Sequence, residues 1–179
     1  KPIPQIVANP HTIWTEVKPT HKWFSTIDLA NAFFSVPVHE DSQPWFAFTL
    51  QGKRYSWARL PQGHLNSPAA FHLALNKQLG DFKTEADVTV LQYVDDLMVC
   101  AEDEDQCRRG TIDLLKCLAV NNHRVNKAKL VMCQQEVIYL GQIVSQEGRR
   151  LTSDRKQAVR NTPLPETKKD LLSFIGLCS

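Results

Sequence analysis

Between Lys22 and Leu29 the chain alternates, with Trp23, Ser25 and Ile27 on one side of an extended segment and Phe24, Thr26 and Asp28 on the other. Alternation of this kind predicts a half-buried strand, and it sets Asp28 at the strand's end on the face of Phe24. Two further β-favouring runs, Trp45–Leu50 and Tyr55–Leu60, flank Gln51-Gly52-Lys53-Arg54 and read as a hairpin. The rhythm then lengthens. Asn66-Ser67-Pro68 has the form of an N-cap followed by a helix-opening proline, and Phe71, Leu75, Leu79 and Phe82 recur at helical spacing. Val88–Val94 and Leu97–Ala101 read as a second hairpin with Asp95-Asp96 at its tip. Asp103–Asn122 reads as an amphipathic helix with Cys107, Ile112, Leu115, Leu118 and Ala119 inward and Asn121-Asn122 as its stop. Short strands are expected near Lys129–Cys133 and over Val137–Val144, followed by a turn at Gln146-Glu147-Gly148.

The flanks are less periodic. Residues 1–20 carry four prolines and read as an extended lead-in. Thr162-Pro163-Leu164-Pro165 is a rigid boundary, and Thr167 and Asp170 have the spacing of a capping box that opens another helix. Antiparallel strands with two long helices in one layer predict an α+β fold, an antiparallel sheet backed by helices in ferredoxin-like style. Residues 1–162 form its main unit, and residues 163–179 are a linker and the incomplete start of a second one.

Composition narrows the setting. A net charge of +2 is too small to imply a nucleic-acid partner by itself, so any basic footprint is local. Five cysteines, odd in number and without CxxC spacing, read as reduced thiols of an intracellular protein, and the six histidines do not fall at zinc-ligand spacing around them. No apolar run approaches the ~18 residues of a membrane span and no signal peptide opens the chain. The expected location is therefore intracellular, away from membranes.

The chemistry centres on Asp95-Asp96, an acidic pair set between apolar runs with no basic residue nearby in sequence. At a hairpin tip both carboxylates can emerge at one end, where they repel unless a doubly charged cation lies between them. Asp28, at the end of another strand, supplies a third carboxylate. Oxygen-only donors without histidine suit Mg²⁺, and a pair of ions about 3.5–4 Å apart would clamp an in-line phosphoryl displacement. By themselves the residues also fit a solvated turn and a helix cap.

The order of motifs separates these readings. Tyr93-Val94-Asp95-Asp96 resembles the YxDD box of retroviral reverse transcriptases, and Asp28-Leu29-Ala30-Asn31-Ala32-Phe33-Phe34 resembles their DxxxAFF motif. Leu60-Pro61-Gln62-Gly63 with Asn66-Ser67-Pro68 is similar to LPQGxxNSP, and Tyr139-Leu140-Gly141 to the YLG of the primer-grip region. The pattern is nearest to the gammaretroviral type, as also found in endogenous retroviruses. The resemblance implies the palm of an RNA- and DNA-directed DNA polymerase, with part of the fingers and the start of the thumb. It implies two Mg²⁺ ions, with Mn²⁺ as a substitute, held by Asp28, Asp95, Asp96 and the Leu29 carbonyl. It implies Phe33 as a steric gate against the 2′-OH, with Gln62 and Gly63 along the nucleotide. Tyr93, Tyr139, Leu140 and Gly141 would then face primer and template, and Lys129 would donate a proton to the leaving pyrophosphate.

Partners implied are an RNA or DNA template, a DNA or tRNA-type primer and dNTPs. The remaining fingers, thumb and ribonuclease H segments are expected elsewhere in the same polyprotein, so this fragment is expected to be weak or inactive alone. Three positions depart from the family pattern. Asn31 stands where many relatives have an acid, and His64-Leu65 replaces an aromatic-plus-lysine pair. The alternative is a catalytically inactive endogenous-retrovirus remnant that acts as a folded binding module.

Overall fold

The computed structural model describes residues 10–80 and 82–178. Its axis is β1 (Trp23–Ala30), the strand expected from the alternation. β4 (Val88–Tyr93), β5 (Asp96–Ala101), β1 and β6 (Arg124–Val125) lie in that order in an antiparallel sheet, and β7 (Val131–Gln134) also pairs with β1. A two-stranded hairpin, β2 (Ala47–Leu50) and β3 (Lys53–Ser56), stands apart. A separate three-stranded sheet is built from β8 (Glu136–Tyr139), β9 (Gln142–Ser145) and β10 (Gly148–Leu151).

Helices cover one face of the main sheet. Ile27 and Leu29 of β1 and Leu97 and Val99 of β5 pack there with Phe71 and Leu75 of α2 (Ser67–Leu79). Leu114 and Leu118 of α3 (Glu104–Val120) complete that layer. The opposite face carries Phe24, Leu91, Met98 and Cys100. It is covered by Ile13, Trp14 and the small sheet's Val137, Tyr139 and Val144. Each large side chain buried this way contributes about 1.5–3 kcal/mol of transfer free energy. With both faces covered, the β1–β5 pair is held rigidly, and the α+β architecture expected from the sequence is the one observed.

Several local expectations are corrected. The lead-in is extended neither at α1 (Pro10–Ile13) nor over the 3₁₀ turn Trp14–Glu16, because Ile13 and Trp14 are drawn into the core; its first nine residues lie outside those described. Hairpin β2–β3 turns on two residues, Gln51 and Gly52, both with positive φ, as the twist of a tight hairpin favours. Asn66 precedes α2 without a side-chain cap; Ser67 Oγ instead donates to Pro61 O at 2.7 Å. Phe82 lies beyond the end of α2, yet it still packs against the core. The segment expected as one strand over Val137–Val144 is split by a turn at Leu140 and Gly141, which gives β8 and β9. α4 (Ser153–Asn161) has no buried residue and no apolar rhythm to announce it. The capping box does form at α5 (Lys168–Cys178): Thr167 N donates to Asp170 Oδ2 at 3.0 Å and Asp170 N donates to Thr167 Oγ1 at 3.2 Å.

The inward face of α3 is rotated from the expected one. Cys107, Gly110, Thr111, Leu114 and Leu118 are buried, whereas Ile112 and Ala119 face outward. Small polar and glycine positions carry this face. Thr111 Oγ1 bonds Cys107 O at 2.6 Å and Ser25 Oγ at 2.9 Å, and Ser25 Oγ also accepts from Cys133 N at 3.0 Å. Cys100, Cys107, Cys117 and Cys133 are free thiols, and burial pushes Cys100 up to about 12 and Cys107 to about 11. Gly110 lets the helix approach β4: a Cβ there would lie 2.6 Å from Val88 Cγ1 and 2.9 Å from its Cγ2. The branched valine has little rotamer freedom to yield. Gly110→Ala is therefore expected to cost about 1–3 kcal/mol despite the better helix propensity of alanine, read as a lower urea midpoint at unchanged m-value. An unchanged or higher midpoint would show that the helix shifts freely on the sheet.

Candidate active site

The turn between β4 and β5 is the most strained segment near the predicted acids. Tyr93 and Asp96 are its closing pair, so Val94 and Asp95 form the two-residue loop. The expected tip, Asp95-Asp96, is thus displaced by one residue, because Asp96 pairs into the ladder with Tyr93 on one side and Asp28 on the other. Val94 takes φ 54°, a left-handed backbone that a β-branched residue rarely adopts. Such a conformation costs on the order of 1–3 kcal/mol and persists when its surroundings impose it. Here they do. Leu29 N donates to Asp95 O at 3.2 Å, Gln92 Nε2 reaches Val94 O at 3.4 Å, and the Val94 side chain packs against the helix-side core.

This arrangement brings the three acids to one end of the sheet. Asp28 and Asp96 are direct cross-strand partners, and Asp95 is tied through its carbonyl to the residue after Asp28. Like charges directly opposite on a sheet repel. Asp96 is half-buried, and its carboxyl is held above the usual range first by burial, then by the charges of Asp95 and Asp28, with Lys129 opposing. Lys129 Nζ lies 2.8 Å from Asp28 Oδ2, and that hydrogen bond and charge raise the ammonium's pKa. Among the described residues no three His, Cys, Asp or Glu side chains close into a ready ligand cluster. The carboxylates are near enough to feel one another without being drawn together.

The other predicted residues are distributed around this centre. Tyr139 is buried, donates from its hydroxyl to Asp96 O at 3.1 Å, and meets Trp14 edge-on with ring centroids 5.7 Å apart. Burial pushes its phenol well above the usual range. Tyr93 packs against the same aromatic cluster. Leu140 and Gly141 form the β8–β9 turn beside it. A cavity of about 180 Å³ is lined by Asp28, Asp96, Lys129, Ile138, Tyr139 and Leu140, which joins the acids to the YLG segment. Leu29 is buried with its amide committed to Asp95. Phe33 sits on a 3₁₀ turn (Ala32–Ser35) with its ring edge-on to Phe71 at 5.7 Å. Gln62 and Gly63 are exposed. Gly63 has φ 83°, and a Cβ added there would meet nothing within 4 Å, so this face of the turn opens to solvent.

Asn126 carries no motif of its own in the sequence, although it opens the stretch that contains Lys129. Its backbone N donates to Asp28 O at 2.8 Å and its Nδ2 lies 3.4 Å from Asp28 Oδ2. Trp14 is likewise unmarked, since a lone tryptophan in a proline-rich segment carries no periodic signal.

A neutral replacement at Asp96 tests the crowding of charge. The folded state holds the Asp96 proton more tightly than the unfolded chain, whose carboxyl titrates near 3.8, so ionisation above the raised folded value weakens the fold. Asp96→Asn is expected to raise the Tm by about 2 °C at pH 7 without divalent ions. The gain should vanish on acidification, where wild-type Asp96 is itself protonated. A lower Tm at pH 7 would contradict net repulsion at this position.

The family model described as reverse transcriptase (RNA-dependent DNA polymerase) matches residues 1–144. The chain is 43% identical over 176 residues to the Gag-Pol polyprotein of Walleye dermal sarcoma virus, covering 98% of this chain and 10% of that one. To the Gag-Pol polyprotein of Gibbon ape leukemia virus it is 39% identical over 177 residues, covering 95% and 10%. Among solved structures, a foamy viral protease-reverse transcriptase in complex with RNA/DNA hybrid is similar at TM-score 0.80 and 35% identity, covering 98% of this chain and 23% of that one. A foamy viral protease-reverse transcriptase dRH in complex with double-stranded DNA gives TM-score 0.82 at 35% identity, covering 98% and 30%. The chain therefore spans about a tenth of these polyproteins and roughly a quarter to a third of the solved chains. With the acids, the palm-type sheet and the ordered motifs in agreement, this chain belongs to the reverse transcriptase (RNA-dependent DNA polymerase) family.

Proposed function

We propose that this chain is the catalytic palm region of an RNA- and DNA-directed DNA polymerase that transfers dNMP to a primer 3′-OH and releases pyrophosphate. The observation that carries the reading is the facing pair Asp28 and Asp96, with Asp95 bonded back to Leu29. Three oxygen-donor acids, one of them half-buried and disfavoured as an anion, fit hard divalent cations. Asp28, Asp95, Asp96 and the Leu29 carbonyl would hold two Mg²⁺ ions, with Mn²⁺ as a substitute. Such a pair supplies charge neutralisation and a more acidic 3′-OH.

The chain's own residues then position and select. Asp95 and Asp96 are kept at one end of the sheet by the strained turn, which fixes the donors before substrate arrives. Lys129 carries a proton beside Asp28 and is the donor toward the leaving pyrophosphate. Phe33 is braced by Phe71, so its ring can oppose a 2′-OH without swinging away. Gln62 and Gly63 form the nucleotide floor, anchored by Leu60 N to Val36 O at 3.0 Å. Tyr93, Leu140 and Gly141 face the primer terminus, while Tyr139 contributes from within by holding the Asp96 carbonyl.

Template, primer and dNTPs are the partners of this reading, and the foamy viral structures in complex with double-stranded DNA and RNA/DNA hybrid support nucleic acid in that role. Further fingers, thumb and ribonuclease H segments belong to the longer polyprotein. Residues 1–162 are the palm with part of the fingers, and 163–179 a linker and the opening of the thumb or connection. Among the described residues no helix is long and apolar enough to cross a membrane, and the site of action proposed is the cytoplasm or a virus-like particle.

Two substitutions, made in a longer chain that carries the flanking polymerase segments, test the assignment. Asp95→Asn is expected to lower Mg²⁺-dependent primer extension at least roughly a thousandfold, and near-normal extension would remove this aspartate from the metal site. Phe33→Val is expected to raise the rNTP-to-dNTP incorporation ratio roughly tenfold or more, and an unchanged ratio would leave Phe33 as a core ring only.

A further inference from the structure

Asp28 is held at both its backbone and its side chain by one residue. Asn126 N donates to Asp28 O at 2.8 Å, and Asn126 Nδ2 lies 3.4 Å from Asp28 Oδ2. The same asparagine organises the turn that delivers Lys129. Its Oδ1 accepts from Ala128 N at 3.2 Å, and its backbone carbonyl accepts from Lys129 N and Leu130 N, both at 3.1 Å. Lys129 Nζ then reaches the same Asp28 Oδ2 at 2.8 Å. Both donors converge on Oδ2, and among the described residues Asp28 Oδ1 has no protein partner.

We propose that Asn126 is a positioning residue for the nucleotidyl-transfer site: it ties up Oδ2 of Asp28, so that Oδ1 is the oxygen presented to a divalent cation, and it sets Lys129 on the same side. The inference rests on the polymerase reading above and extends it to a residue on the β6–β7 connection. Geometry favours this role over a purely local one. An Asx turn needs only the Oδ1 acceptor, whereas the Nδ2 donor is spent across the sheet on an acid 98 residues away in sequence. Partners that orient a metal-ligating carboxylate typically change metal affinity or activity about 10–100-fold when removed.

Two variants separate orientation of Asp28 from formation of the turn. Asn126→Ala removes both side-chain contacts. Asn126→Asp keeps an acceptor for the Ala128 amide but replaces the donor with an oxygen that repels Asp28 Oδ2. Free Mn²⁺ is followed by electron paramagnetic resonance in titrations of the 179-residue chain, and kcat and Mg²⁺ half-saturation are measured in the longer polymerase. Asn126→Ala is expected to raise the Mn²⁺ and Mg²⁺ half-saturation concentrations about tenfold. Asn126→Asp is expected to recover the wild-type Tm while kcat stays about tenfold or more down. Recovery of both Tm and kcat by Asn126→Asp, or unchanged half-saturation in Asn126→Ala, overturns the positioning role. Wild type and Asp28→Asn binding Mn²⁺ equally would instead overturn the polymerase reading beneath it.

Discussion

Asp28 and Asp96 face each other across the β1–β5 ladder, and that like-charge pairing governs how the rest of the site is built. A sheet does not tolerate opposed carboxylates cheaply, least of all where one is half-buried. The pair survives because β1 and β5 are covered on both faces, by α2 and α3 on one side and by Trp14 and the small sheet on the other. Repulsion is converted into preorganisation rather than relaxation. In the proposed metal-binding role, that negative charge would already be in place before a cation arrives.

The surrounding polar contacts follow from that constraint. Tyr139 spends its hydroxyl on the Asp96 carbonyl, and Asn126 and Lys129 direct their donors to Asp28. The exposed Lys129 ammonium softens the local field without closing the site. Val94 stores the strain of the turn, and its backbone is held by the Asp95–Leu29 bond rather than by a glycine. Such strain concentrates where geometry matters more than stability.

Legibility from the sequence divides along physical lines. Elements whose burial is one-sided and regular are plain in the pattern: the alternation of β1, the Phe71–Leu75 stripe of α2 and the capping box of Thr167 and Asp170 all reappear. Where backbone approach or tertiary burial decides, the pattern misleads. The inner face of α3 runs through Gly110 and Thr111, which hydrophobicity does not mark, so Ile112 and Ala119 look like inward positions though they face out. The turn residues Leu140 and Gly141 break an apolar run that looks continuous, and Trp14 is folded into the core from a segment without rhythm.

The sequence by itself determined which side chains could carry the chemistry: three acids in ordered motifs, an aromatic after the first, a lysine and a YLG segment further on. Side-chain type and spacing are chemical facts of the chain, and they sufficed to identify the family. The tertiary structure decided how those groups meet. It moved the turn from Asp95-Asp96 to Val94-Asp95, set Asp96 opposite Asp28, placed Tyr139 beneath the pair and brought Asn126 onto the first acid. Those are long-range hydrogen bonds and ladder registers. They arise only when strands far apart in sequence are locked together by a common core.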